Sequence, residues 1–136
     1  MTTTKKSIEC DKKCSCELGT DKIKTIPNDC SGLEYISFKP SFSAVCSIGH
    51  APFYGTVEIC FRPGNKLLEF ESVENWIREH SNLETTIEGY AYALAKAIYD
   101  SFGGYQSITV TATAFTIVHG EAKAVVSLKS NVPISF

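Results

Sequence analysis

The chain has 136 residues, 43% of them hydrophobic and 21% charged, with a formal net charge of -2. That length buries one core but not two, and the near-neutral balance supplies no basic field for a phosphate backbone, which excludes bulk nucleic-acid binding. No apolar run reaches membrane-spanning length, and the start, MTTTKKSIECDKKCSC, lacks the apolar middle of a signal peptide, so a soluble, cytoplasmic protein without membrane partners is expected.

Residues 1 to about 30 are polar and lysine-rich without hydrophobic periodicity, and they read as an arm that packs late or not at all, ending at the turn IPNDCSG; residues 31–136 are then the folded domain. Four cysteines, Cys10, Cys14, Cys16 and Cys30, fall in the arm. In a reducing cytosol they read as free thiols or ligands rather than a disulfide frame. They resemble a zinc or iron-sulfur set, although C-x3-C-x-C is not a usual structural-zinc spacing.

LEYISFKPSFSAV, residues 33–45, reads as a strand broken or bulged at Pro40, with Cys46 at its end. Residues 54–61 alternate, placing Val57, Ile59 and Phe61 on one face and Thr56, Glu58 and Cys60 on the other, and RPGNK supplies the next turn. Ser72 is placed to cap a short helix whose Val73, Trp76 and Ile77 share one face. A longer helix follows between Thr86 and Phe102, with Ile87, Ala91, Leu94, Ala95 and Ile98 at helical spacing and Gly103-Gly104 as its stop. Two alternating strands, residues 105–118 and 121–128, close the domain through a tight His119-Gly120 hairpin. This order predicts an α+β fold: an antiparallel four-stranded sheet with both helices on one face. Open sheet edges in such a unit favour a homo-oligomer.

Cys46 on its own fits a small buried hydrophobe, because free cysteine is commonly buried. Its place at a strand end beside Gly49 and His50 makes the thiol more accessible, and reactivity then requires a neighbour that favours the thiolate. His50 is the nearest such residue, though a lone loop histidine also fits a surface role. Glu88 is either a solvated first-turn acid favoured by the helix dipole or an acceptor for the N–H donors of a heterocycle. Glu58, Glu71 and Glu74 read as solvated.

The segment CSIGHAPFYGTVEICFRPGNKLLEFESVENW resembles the tunnelling-fold enzymes of purine and pterin metabolism. Type I GTP cyclohydrolases carry Cys-x-His-His-x-x-Pro-Phe-x-Gly, which Cys46, Pro52, Phe53 and Gly55 match in spacing. Ile48 and Gly49 stand where that family has its catalytic and zinc-binding histidines, and Phe115 stands near its second zinc cysteine; one remaining thiol cannot hold zinc. The chain also resembles the 7-cyano-7-deazaguanine reductases of queuosine synthesis and their shorter archaeal QueF-like relatives, which form the archaeosine amidine. KIKTIPN is similar to that family's approach to its first strand, EFESVENW occupies the slot of its Glu-x-Lys-Ser-x-Lys-x-Tyr motif, and Cys46 falls on its nucleophile.

This resemblance implies a tunnelling fold assembled into an oligomeric barrel, a Cys46 thioimide with the nitrile of a 7-deazaguanine, and Glu88 gripping the pyrimidine edge. Glu71 and Glu74 stand where the reductases use lysines to hold NADPH, and His119-Gly120 stands near their Arg-Gly turn, so that cofactor is disfavoured. Phe53 lies in the substrate-binding position of a proton-relaying aspartate, which leaves His50 or water to move the proton. The expectation is therefore amidine formation on a purine analogue or modified tRNA base. NADPH-dependent reduction, a cyclohydrolase-like reaction and a silent purine-binding or pterin-binding module are the alternatives.

Overall fold

Alternation along residues 53–61 decides which side of the sheet becomes the core. The computed structural model describes residues 22–116 and 120–130. Its elements are β1 (Thr25–Pro27), β2 (Ile36–Phe38), β3 (Ser41–Cys46), β4 (Pro52–Phe61), β5 (Lys66–Leu68), α1 (Phe70–Glu79), β6 (Glu84–Thr85), α2 (Ile87–Ser101), β7 (Ile108–Thr116) and β8 (Gly120–Leu128). The main sheet runs β6-β3-β4-β7-β8, with β2 also paired to β4. Its β3, β4, β7 and β8 pair antiparallel, as expected. Two features depart from the expected four strands: β6 adds a short parallel edge to β3, and β1 pairs with β5 in a separate ribbon.

Phe53, Val57, Ile59 and Phe61 of β4 point to one face together with Ile108, Val110, Ala112 and Ala114 of β7, and all are buried. Both helices cover that face. Phe42 of β3 stacks on Tyr90 of α2 at 4.4 Å between ring centres, and Trp76 of α1 meets Tyr90 edge-on at 5.8 Å. Leu94 and Ile98 of α2 are fully buried, each burial stabilising the fold by about 2 kcal/mol. The opposite face carries hydroxyls and charges, among them Glu58, whose carboxylate accepts from Ser37 Oγ at 2.9 Å.

Pro40 breaks the first long strand without bulging it. Ile36 pairs with Phe61 and Ser41 with Thr56, so the register against β4 is continuous across the break. The Pro40 carbonyl still accepts from Val57 N–H at 2.9 Å. Proline lacks only a donor, so the ladder loses a bond and gains no extra residue.

The short helix begins earlier than its serine suggested. Glu69 is the N-cap, with no side-chain cap bond, and Ser72 lies within the first turn. Phe70 stacks flat on Phe38 at 4.0 Å, which draws the first turn over β2. The buried Ser72 hydroxyl instead donates to Glu69 O at 2.7 Å and accepts from Lys24 N–H at 2.8 Å. That bond ties down a segment expected to belong to the unpacked arm: Ile23 is buried in the core and residues 25–27 are paired. By contrast, α2 follows its sequence signals. Thr86 accepts from Gly89 N–H at 3.0 Å, and Gly103 and Gly104, at φ 71° and 77°, end the helix. At the last hairpin Thr116 pairs with Gly120; His119 lies outside the described residues.

Candidate active site

The end of β3 is held on two sides. Pairing with β4 runs to Val45 opposite Pro52, and on the other side β6 sets Val45 against Glu84 and Cys46 against Thr85. Val45 N–H donates to Leu83 O and Ser47 N–H to Thr85 O, each at 2.9 Å. Thr85 immediately precedes Thr86, the cap of α2. The ladder therefore brings Cys46 beside the start of the helix that carries Glu88. Glu88 is exposed there, in the first turn, so its carboxylate is open to solvent or to a ligand.

Beyond Cys46 the chain curls in a tight turn. Cys46 N–H donates to Ala51 O and His50 N–H to Cys46 O, both at 2.8 Å. The turn closes through His50 at φ 61°, the one left-handed residue other than glycine among the described residues. As a result the thiol sits inside a ring of backbone donors, with Gly49 N–H at 3.4 Å from Sγ. Gly49 N–H holds the thiol pKa below its ordinary value, helped by the N–H groups of Ile48 and His50 and opposed by partial burial. Such a ring of N–H groups is an anion-stabilising nest.

His50 thus acts on the thiol through its backbone. Its imidazole faces Glu84, with Nδ1 3.8 Å from Oε2, and both side chains are largely exposed. Phe53, expected against the substrate, is a core residue: it is 4% exposed and meets Phe42 edge-on at 6.0 Å. Its alternation with Val57, Ile59 and Phe61 already carried that signal. Cys60, on the outer face as its alternation places it, is half-buried, 3.7 Å from Ser37 Oγ. Glu84, Thr85 and the amides of Ile48 and Gly49 were missed, because a two-residue strand and a turn's donors leave no periodicity.

Among the described residues no three metal-ligating side chains converge. Cys30 is exposed, and Cys10, Cys14 and Cys16 lie outside the described residues. The EFESVENW slot is a polar cleft at the start of α1, where Glu69 and Glu71 face Lys22 and Lys24. Two cations and two carboxylates leave it without a net positive field. No helix among the described residues is long and apolar enough to cross a membrane.

If the turn and not the imidazole favours the thiolate, His50→Gly should keep the pH of half-maximal iodoacetamide alkylation of Cys46 below that of an ordinary thiol, about 8.5. Glycine holds φ 61° freely, whereas β-branched valine does not, so His50→Val should raise that pH. Loss of low-pH reactivity in His50→Gly would instead make the imidazole responsible.

The α+β unit thus places a thiol of lowered pKa at a strand end, next to an exposed helix-start carboxylate. No family model matches the chain, and no curated protein matches it in sequence. Among solved structures it is similar to the archaeosine synthase QueF-Like in its apo form, with a TM-score of 0.63 and 18% identity over 74% of this chain and 97% of that one. The chain therefore shares the α+β fold of that structure, with two helices on one face of a mainly antiparallel sheet.

Proposed function

We propose that this protein is an enzyme that captures the nitrile of a 7-cyano-7-deazaguanine on Cys46 and converts it to an amidine. The observation that carries this reading is the Cys46 thiol in its ring of backbone N–H groups, set opposite Thr85 at the entry to the Glu88 helix. The likeness to an archaeosine synthase supports the substrate class. In the proposed reaction the thiolate attacks the nitrile carbon, and one C≡N π pair moves to nitrogen, which takes a proton to give a thioimide. That proton comes from water, or from His50 once its ring turns from Glu84. An amine then adds to the same carbon and loses a proton, and the C–S bond breaks with its electron pair returning to sulfur. No electrons are gained or lost overall, so NADPH has no part in it. Glu88, an acceptor-only carboxylate, holds the N–H edge of the ring.

Mixing the protein with 7-cyano-7-deazaguanine tests the reading. The expected result is a new thioimide absorbance and a mass increase of one ligand on the peptide containing Cys46, with Cys60 unmodified. Modification of neither thiol at saturating ligand would favour a silent binding module.

The cytoplasm is the proposed location and a homo-oligomeric barrel the proposed assembly. Among the described residues β8 has a sheet partner on one side only, which leaves nine residues of unpaired edge. Light scattering at micromolar concentration should give a multiple of the chain mass, and a monomer would remove the barrel.

A further inference from the structure

We propose that the far end of the sheet carries a second site, one for a phosphomonoester joined to a planar ring. It is independent of the Cys46 reading. Cys46 lies beside Pro52 at one end of β4, whereas this cleft opens at Arg62, beyond the other end. Ten extended residues separate them, about 30 Å at 3.3 Å per residue.

The cleft, of about 260 Å³, lies on the outer face of the sheet, over the strand backbone at Phe61 and Ile108, whose side chains turn into the core on the other side. Its rim offers donors almost exclusively. Arg62 and Lys129 are exposed on it, and among the described residues neither is paired with a carboxylate. Ser107 Oγ accepts from Ser130 N–H at 2.7 Å, which leaves its own proton to donate. Thr109 and Ser127 share one hydroxyl proton across 3.0 Å and leave the other free. A rim of cations and hydroxyl protons, with no carboxylate lining it, suits an anion.

Charge and size narrow the class. A phosphomonoester carries about two negative charges at neutral pH, matching the two cations, with the guanidinium able to fork across two oxygens. A phosphodiester would leave one cation unmatched, and a net charge of -2 gives no wider field for a polynucleotide. Tyr35, 64% exposed at the mouth, presents a ring face on which a flat ligand can stack. The volume lies just below the usual range of about 300–1,000 Å³ for small-molecule sites, so a mononucleotide suits it and a dinucleotide does not.

The test is an NMR titration of the full chain with adenosine 5′-monophosphate, ribose 5-phosphate, inorganic phosphate and adenosine. The mononucleotide should shift the amides around Arg62, Ser107 and Lys129, and the shifts should weaken with salt. Ribose 5-phosphate should bind about tenfold more weakly, the size of one base stacked on an aromatic side chain. Arg62→Gln with Lys129→Gln should reduce affinity at least about tenfold, as loss of charge-assisted bonds requires. Tyr35→Ala should bring the mononucleotide down to ribose 5-phosphate while leaving the latter unchanged. No shifts with millimolar mononucleotide, or adenosine binding as tightly as its phosphate, would overturn the anion site. Inorganic phosphate binding as tightly as the mononucleotide would overturn the stacked ring. The overturning outcomes are all read on the unmodified chain and do not depend on a variant folding.

Discussion

Cys46→Ala is expected to show no covalent capture of 7-cyano-7-deazaguanine while still binding it reversibly, and Glu88→Gln is expected to do the converse. The first change removes the only protein atom that bonds the nitrile carbon in the proposed reaction but leaves the turn's amides and the helix start in place. The second replaces an acceptor-only carboxylate by an amide, which must turn one donor toward the ligand's N–H edge. Loss of hydrogen bonds to a charged group, about 1.5–3 kcal/mol, weakens binding by about 10- to 100-fold. Calorimetry gives the affinity and intact mass spectrometry the adduct. Because Glu88 is exposed, the substitution should not disturb folding. An adduct on Cys46→Ala, or wild-type affinity in Glu88→Gln, would defeat the assignment of the corresponding residue.

Gly55→Ala is expected to destabilise the protein by about 3 kcal/mol, lowering Tm by about 10 °C. Gly55 lies on β4 between Phe42 and Ala114, and a methyl group there would run into the backbone carbonyl of Thr113 on β7. Neither strand can retreat without breaking a ladder on its other side. Gly49→Ala is the matching control, because nothing lies within 4 Å of the added carbon and its Tm should barely move. An unchanged Tm in Gly55→Ala would mean that the β4–β7 spacing relaxes more easily than two fully paired strands should. Gly55 closes the Pro-Phe-x-Gly part of the sequence resemblance, and the clash gives that glycine a backbone reason.

The elements most legible in the sequence were those whose pattern repeats within one element. Ile87, Ala91, Leu94, Ala95 and Ile98 announce α2, and its cap and stop follow from Thr86 and the paired glycines. The inward face of β4 was equally plain. Extending its alternation back to Phe53 would have placed that residue in the core, but the family motif drew it toward the ligand instead. What stayed hidden depends on distant partners. β1 pairs with β5 across some 40 residues of chain, and α1 starts where Phe38 meets Phe70, so neither boundary is written locally. Of the candidate site, the thiol and the helix-start carboxylate were readable from motif and position. The donors that favour the thiolate were not, because they belong to backbone amides shaped by a left-handed turn at His50.

The sheet is lopsided in a way that limits how copies can meet. On one flank β8 runs nine residues without a break; on the other, β6 supplies two residues, and Pro40 interrupts the chain behind it. Among the described residues, strand addition is thus favoured on the β8 flank. Two copies joined through β8 cover each other's longest unbroken edge among the described residues, whereas a ring built head to tail must set that edge against the shorter flank interrupted at Pro40. The same asymmetry says where uncontrolled growth would begin if the protein were overproduced. There the charges of Glu121 and Lys123 are the barrier, and removing them should turn a self-limiting surface into a template.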